Sequence, residues 1–269
     1  MKLTTRRIAH TEIVVHECTM DKAGPTVAVT ANLHGDECNG LAVIQRLLEG
    51  ATEWNCGRLI LYPSLNPRGL RRGTRSLPPW DKDINRQFPG EEGGDELENY
   101  AFRIWNDLRS YDLDALIDLH TDSGHAMPYV ILDRCLSKDS KLEEKLWLMG
   151  AATGLFSIWE YPVARYRMYG LEASLTGAIV NRLRIPAVTL EIGPRRHCLL
   201  ESVEMGVKAV QNILSHIGMI ESNYHHECTV GRPLGVWRRE SGLRANQSGL
   251  LVPLAAVGKI LEARTPIAN

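Results

Sequence analysis

The sequence lacks any apolar run close to the ~20 residues that span a bilayer, so no membrane-crossing helix is expected. Its first residues, "MKLTTRRIAHTEIVVHE", carry basic groups with no apolar stretch behind them, so no secretory signal is expected in them. No C-x-x-C pair occurs, and the six cysteines are scattered, so free thiols are expected rather than a disulfide framework. The cytoplasm is the expected compartment. Net charge is almost absent too, at −1 from 31 basic and 32 acidic residues, which removes any global electrostatic case for nucleic acid or a membrane surface. Repeats and low-complexity tracts are also missing. What remains is a chain of 269 residues, 44% hydrophobic and 23% charged, suited to one large domain with at most a small appendage.

Apolar periodicity alternates between two and 3.6 residues along the chain, the pattern of an α/β sheet. Strands are expected at 26–33 ("TVAVTANL"), 57–66, 113–120 ("LDALIDLH"), 127–133 and 186–193 ("PAVTLEIG"). Helices are expected at 39–50, 95–109, 138–150, 173–184 and 200–217. Residues 67–94, rich in proline, glycine and charge, read as a long non-repetitive loop, and loops of that length are usually functional or disordered. Composition changes near 222–233, which predicts a catalytic domain over 1–222 and a small β-rich segment over 223–269. That segment is too short for a comfortable core of its own. It should pack on the main domain or on another subunit, which leaves a homo-oligomer open.

In open α/β sheets, ligands gather beyond the carboxyl ends of strands. His34 follows the strand at 26–33, His120 closes the strand at 113–120, and Glu191 sits late in the strand at 186–193. Glu37 lies one turn after His34. A catalytic zinc takes three protein ligands and keeps one position open, and two histidines with one glutamate are an established set. His34, Glu37 and His120 therefore form the candidate metal site. A lone H-x-x-E is common by chance, and the pair could also serve a turn or acid–base chemistry. Asp36 reads as the N-cap of the following helix or as an outer-sphere acid, and Cys38 as an ordinary residue at the helix start. Arg68, Arg71 and Arg72 read as a solvated loop.

The ordered motifs "HGDE", "NPRG", "GTR", "DINRQFPG", "DLH" and "EIGP" resemble the succinylglutamate desuccinylase/aspartoacylase family, a relative of the zinc carboxypeptidases. The resemblance spans roughly residues 26–220. It implies an α/β fold with a mixed central sheet flanked by helices, and hydrolysis of the amide bond of a small N-acyl amino acid. It further implies one zinc per chain held by His34, Glu37 and His120, with Glu191 as general base and acid. Arg75 resembles the arginine that holds the oxyanion, Asn85 and Arg86 the pair that grips the substrate carboxylate, and Asp83 the acid behind a ligand histidine. Arg182, Tyr166 and Tyr169 are further substrate-binding candidates that no motif fixes. A carboxypeptidase acting on short peptides, or a relative that binds metal without hydrolysis, would carry the same motifs.

Overall fold

The computed structural model describes residues 1–50, 54–124, 126–221, 237–240, 242 and 244–268. The expected α/β architecture is present. Among the described residues, nine strands form one mixed sheet: β1 (Lys2–Arg7), β2 (Val14–Thr19), β3 (Thr26–Ala31), β4 (Arg58–Tyr62), β5 (Ala115–Asp122), β6 (Tyr129–Leu132), β7 (Phe156–Trp159), β8 (Ala187–Pro194) and β9 (Trp237–Arg238). Their order across the sheet is β1-β2-β4-β3-β5-β8-β6-β7-β9. The centre, β4-β3-β5-β8, is parallel, while β1, β2 and β6 bring in the antiparallel pairings.

Alternation along β3 explains the two cores. Val27, Val29 and Ala31 point into one cluster with Val43, Ile44 and Leu47 of α1 (Asn39–Glu49) and Val210, Ile213 and Leu214 of α7 (Leu200–His216). Ala28 points the other way, toward Leu97, Ala101, Ile104 and Leu108 of α3 (Glu96–Arg109). Burying each of these larger side chains is worth about 1.5–3 kcal/mol. Helices therefore cover both faces, which is why β3 and β5 read as nearly continuous apolar runs.

Capping accounts for the helix starts. Asp95 accepts from the amides of Leu97 and Glu98 while the Glu98 side chain returns to the Asp95 amide, a full capping box for α3. Asp139 does the same one-sided service for α4 (Ser140–Ala152). The expectation of a structureless stretch at 67–94 is corrected. Asn66 caps a short helix α2 (Pro67–Arg72), its side chain accepting from the Gly69 amide with proline at the first helical position. A 3-10 turn follows at Ile84–Arg86, capped by Asp83. The "Asn-Pro" that ends β4's extension is thus also a helix start.

The helix expected at 173–184 is broken into a 3-10 turn Leu171–Ala173, a single α-turn α6 (Leu175–Ala178) capped by Ser174, and a π-turn Ile179–Leu183. A further short helix, α5 (Val163–Met168), precedes it. The composition change expected at 222–233 lies outside the described residues. Beyond it, β9 pairs with β7 as the sheet's edge, and an isolated bridge joins Pro253 to Ala268. No helix among the described residues is long and apolar enough to cross a membrane. The five described cysteines are free thiols.

Candidate active site

The site lies where β3, β5 and β8 end. Asn32, in the left-handed region at φ 54°, builds the turn after β3: its side-chain amide donates to the carbonyls of His34, Gly35 and Glu37 at 3.0, 3.2 and 2.9 Å. Its own oxygen accepts from Ser64 at 2.6 Å. That clamp holds His34 and Glu37 on one side of the turn. Gly35 is needed because a Cβ there would stand 2.1 Å from the Gly69 backbone in α2.

His34, Glu37 and His120 converge, each 2–3% exposed, with ligand atoms all within 4.8 Å of one another. Glu37 is the hub. Its Oε1 lies 2.8 Å from His34 Nδ1 and its Oε2 lies 2.9 Å from His120 Nδ1. Arg75 donates to Oε1 at 3.2 Å and the Thr121 amide to Oε2 at 3.0 Å. Burial works to raise the Glu37 pKa, yet His120 and then His34 hold it well below the usual carboxylate range. The outward nitrogens of both rings are also engaged. His34 Nε2 lies 3.1 Å from Asp83 Oδ1, and His120 Nε2 lies 2.8 Å from Asp118 Oδ2. Two imidazoles turned inward by their Nδ1 atoms, each backed by a carboxylate, are the arrangement that orients histidines toward a metal.

Asp118 was not among the candidates from sequence, although it stands two residues before His120 in "DLH". An acid inside the apolar run "ALIDLH" is costly to bury without a partner, and that cost is the signal that marks it. It is 1% exposed, and its other oxygen accepts from Thr30 at 2.7 Å. Asp36 is corrected: the N-cap of α1 is Cys38, which makes no side-chain cap bond. The Asp36 carboxylate instead takes Arg196 Nε at 3.3 Å, and its carbonyl accepts the Arg196 amide at 2.9 Å.

Glu191 sits opposite His120 in the β5–β8 register and opposite Tyr129 in the β6–β8 register. It lines the cavity, and its shielded Oε2 has no hydrogen-bond partner among the described residues. The nearby Arg196 pairs with Asp36 rather than with Glu191. Burial first, then the neighbouring Glu37 and Asp122 carboxylates, push the Glu191 pKa up to about 7.

Arg75 reaches Glu37 with one nitrogen and Asp83 with the other, the latter at 3.0 Å. Asn85 and Arg86 also line the cavity. The Asn85 oxygen accepts the Leu175 amide at 2.7 Å, which leaves its NH₂ as the free end. Arg86 donates to the carbonyls of Tyr169 and Asn85 at 3.0 and 2.5 Å, and forms no ion pair with Asp81 or Asp83. Backbone acceptors fix the guanidinium without neutralising it. Tyr166, Tyr169 and Arg182 are not cavity-lining residues: Tyr166 is buried behind the wall, and Tyr169 lends Arg86 its carbonyl.

The fold is shared with the metallo-carboxypeptidases. A metallo-carboxypeptidase from Burkholderia cenocepacia superposes with a TM-score of 0.67 at 14% identity, over 80% of this chain and 64% of that one. Residues 23–217 match the succinylglutamate desuccinylase/aspartoacylase catalytic domain, and the chain belongs to that family. A crystal structure of a succinylglutamate desuccinylase/aspartoacylase from Rhodobacter sphaeroides superposes with a TM-score of 0.80 at 23% identity, covering 99% of this chain and 80% of that one. The N-alpha-acetyl-L-2,4-diaminobutyric acid deacetylase of Halomonas elongata is 28% identical over 200 residues, 74% of this chain. The chain spans 56% of that relative's length.

Proposed function

We propose that this protein is a zinc-dependent deacylase that hydrolyses the amide bond of a small N-acyl amino acid. The observation that carries the reading is the convergence of His34, Glu37 and His120 beside a buried, unpartnered Glu191 oxygen in one cavity of about 290 Å³. The donor set fits zinc: two imidazoles and a carboxylate, with an outer carboxylate behind each ring. A zinc ion bound there would supply Lewis acidity that acidifies water and polarises a carbonyl.

The remaining work falls to the chain. Glu191, with proton affinity near neutrality, takes the proton of the attacking water and delivers it to the leaving nitrogen. Arg75 places fixed positive charge where the carbonyl oxygen becomes an oxyanion, an effect for which a single donor is worth ~3–4 kcal/mol. Asn85 and Arg86 present free donors to the substrate carboxylate, which a planar guanidinium can bind through two parallel bonds. Asp83 and Asp118 hold the two histidine rings. The products are a carboxylic acid and a free amino acid. The family and the deacetylase relative support this reading over peptide cleavage, and so does a cavity at the small end of ligand sites.

The test is amine release by the zinc-loaded protein from N-acetyl and N-succinyl amino acids, compared with short peptides. The acyl amino acids are expected to be the better substrates, and a preference for peptides would overturn the reading. In the same assay Arg86→Ala should raise KM about tenfold or more for substrates with a free carboxylate, since a charge-assisted bond is worth ~1.5–3 kcal/mol. Amides of the same substrates, lacking that carboxylate, should be nearly unaffected. An equal loss on both would give Arg86 a different job.

A further inference from the structure

Cys38 directly follows Glu37 and stands at the N-cap of α1, yet its side chain makes no cap bond there. Cys198 lies past the end of β8, on the exposed stretch that leads into α7. The two segments are stitched together on both sides of this pair. The Arg196 amide donates to the Asp36 carbonyl at 2.9 Å, and Arg196 Nε donates to the Asp36 carboxylate at 3.3 Å. On the other side, the Leu199 amide donates to Asn39 Oδ1 at 3.0 Å, while Asn39 Nδ2 donates to the Ile192 carbonyl at 2.9 Å. Both ties, 36 to 196 and 39 to 199, span the same 160 positions. That common offset sets Cys38 opposite Cys198.

We infer that Cys38 and Cys198 are an oxidant-sensitive thiol pair that closes into a disulfide, fastening the turn that carries Glu37 to the segment after β8. The pairing stands whatever reaction the cavity performs.

A disulfide needs its two Cα atoms within about 7 Å. Ties placed two residues before the pair and one residue after it leave little backbone movement to make. The sulfurs also sense each other: burial first, and then the charge of Cys198, raise the pKa of the Cys38 thiol. Both are free thiols. The other described cysteines are less suited. Cys18, Cys56 and Cys135 are buried, Cys56 donates to the Gly218 carbonyl at 3.3 Å, and Cys135 Sγ lies 3.0 Å from the Ser137 hydroxyl.

Exposure divides the steps between the two sulfurs. Cys198 is exposed and Cys38 is half-buried, so a hydroperoxide meets Cys198 first. The Cys198 thiolate attacks one peroxide oxygen, the O–O bond breaks, and a sulfenic acid forms with release of hydroxide. Cys38 sulfur then attacks the sulfenic sulfur, so the S–S bond forms as the S–O bond breaks. The two hydroxides take up the two thiol protons. In sum the thiols lose two electrons and two protons, and one hydrogen peroxide becomes two waters.

The experiment treats the reduced, zinc-loaded full chain with hydrogen peroxide and maps its peptides without reduction. The main product is expected to be a peptide pair joined through Cys38 and Cys198. Melting temperature should rise by about 5–10 °C, because the crosslink closes a long loop in the unfolded chain. A reductant should reverse both changes. Cys198→Ser should show neither, and in Cys38→Ser oxidation should stop at a sulfenic acid on Cys198 that dimedone traps. The inference is overturned if wild-type Cys198 proceeds to sulfinic acid uncrosslinked, or if it pairs with Cys228 or any cysteine other than Cys38. A Cys38–Cys198 bond that leaves the melting temperature unchanged would overturn the fastening.

Discussion

Glu191→Gln is expected to stop turnover while the protein keeps its metal. Glutamine preserves the length of the side chain and one acceptor oxygen, so the cavity and the strand pairing of β8 with β5 and β6 should survive. What it removes is the capacity to hold a proton and return it. A positioned general base contributes about 10²–10⁴ in rate, and Glu191 would act twice in one cycle, on the water and on the leaving nitrogen. A fall in kcat of at least three orders of magnitude is therefore expected in the amine-release assay, with KM little changed. Metal content, read by mass spectrometry of the dialysed protein, should stay at one ion per chain, because Glu191 is not in the converging His34–Glu37–His120 set. Residual activity within tenfold of wild type would remove Glu191 from the mechanism.

The candidate site was more legible in the sequence than the loops around it, for physical reasons. His34, His120 and Glu191 each stand at a strand's carboxyl end, and strands declare themselves through alternation and β-branching. Once β3, β5 and β8 are placed side by side, their ends must meet. The turn between His34 and Glu37 was harder to read. Its geometry depends on Asn32 at positive φ, and on the Asn32–Ser64 bond and Gly35 pressed against Gly69, contacts between segments more than thirty residues apart. For the same reason Asp36 looked like an N-cap: Asp before an apolar periodic stretch is the usual signal, but the helix starts two residues later and Arg196 from beyond β8 claims the carboxylate.

Segments near the sheet edges gave weaker signals. β1 and β2, "KLTTRR" and "VVHECT", mix charge and β-branched residues, and β1 is almost wholly exposed, so no apolar period marks it. β7 is only four residues and nowhere fully buried. The cavity wall away from the metal cluster was invisible for a different reason. Asp133 and Glu160 follow short strands as ordinary-looking loop acids, and Arg239 comes from the C-terminal segment. Only the order β8-β6-β7-β9 brings all three to the same wall.

His34→Ala should uncouple the protein from metal altogether, and the effect should be visible in stability as well as in activity. A ligand that binds only the folded chain stabilises it by RT ln(1 + [L]/Kd), about 2.7 kcal/mol at a hundred times Kd. For a chain of this size that corresponds to roughly 5–10 °C in melting temperature. Wild-type protein should therefore lose that increment when a chelator is added and regain it with zinc. In His34→Ala only Glu37 and His120 remain of the cluster, too few to hold the ion tightly, so neither chelator nor zinc should move the transition. Asp118→Asn makes the contrast. It leaves all three ligands in place and weakens only the acceptor behind His120, for which a loss of 10–100-fold in metal affinity is expected. Its melting temperature should still rise with zinc, but at proportionately higher concentration. A His34→Ala protein that retains stoichiometric zinc and a wild-type chelator response would take His34 out of the metal site. An Asp118→Asn protein with unchanged affinity would reduce Asp118 to a buried partner of Thr30.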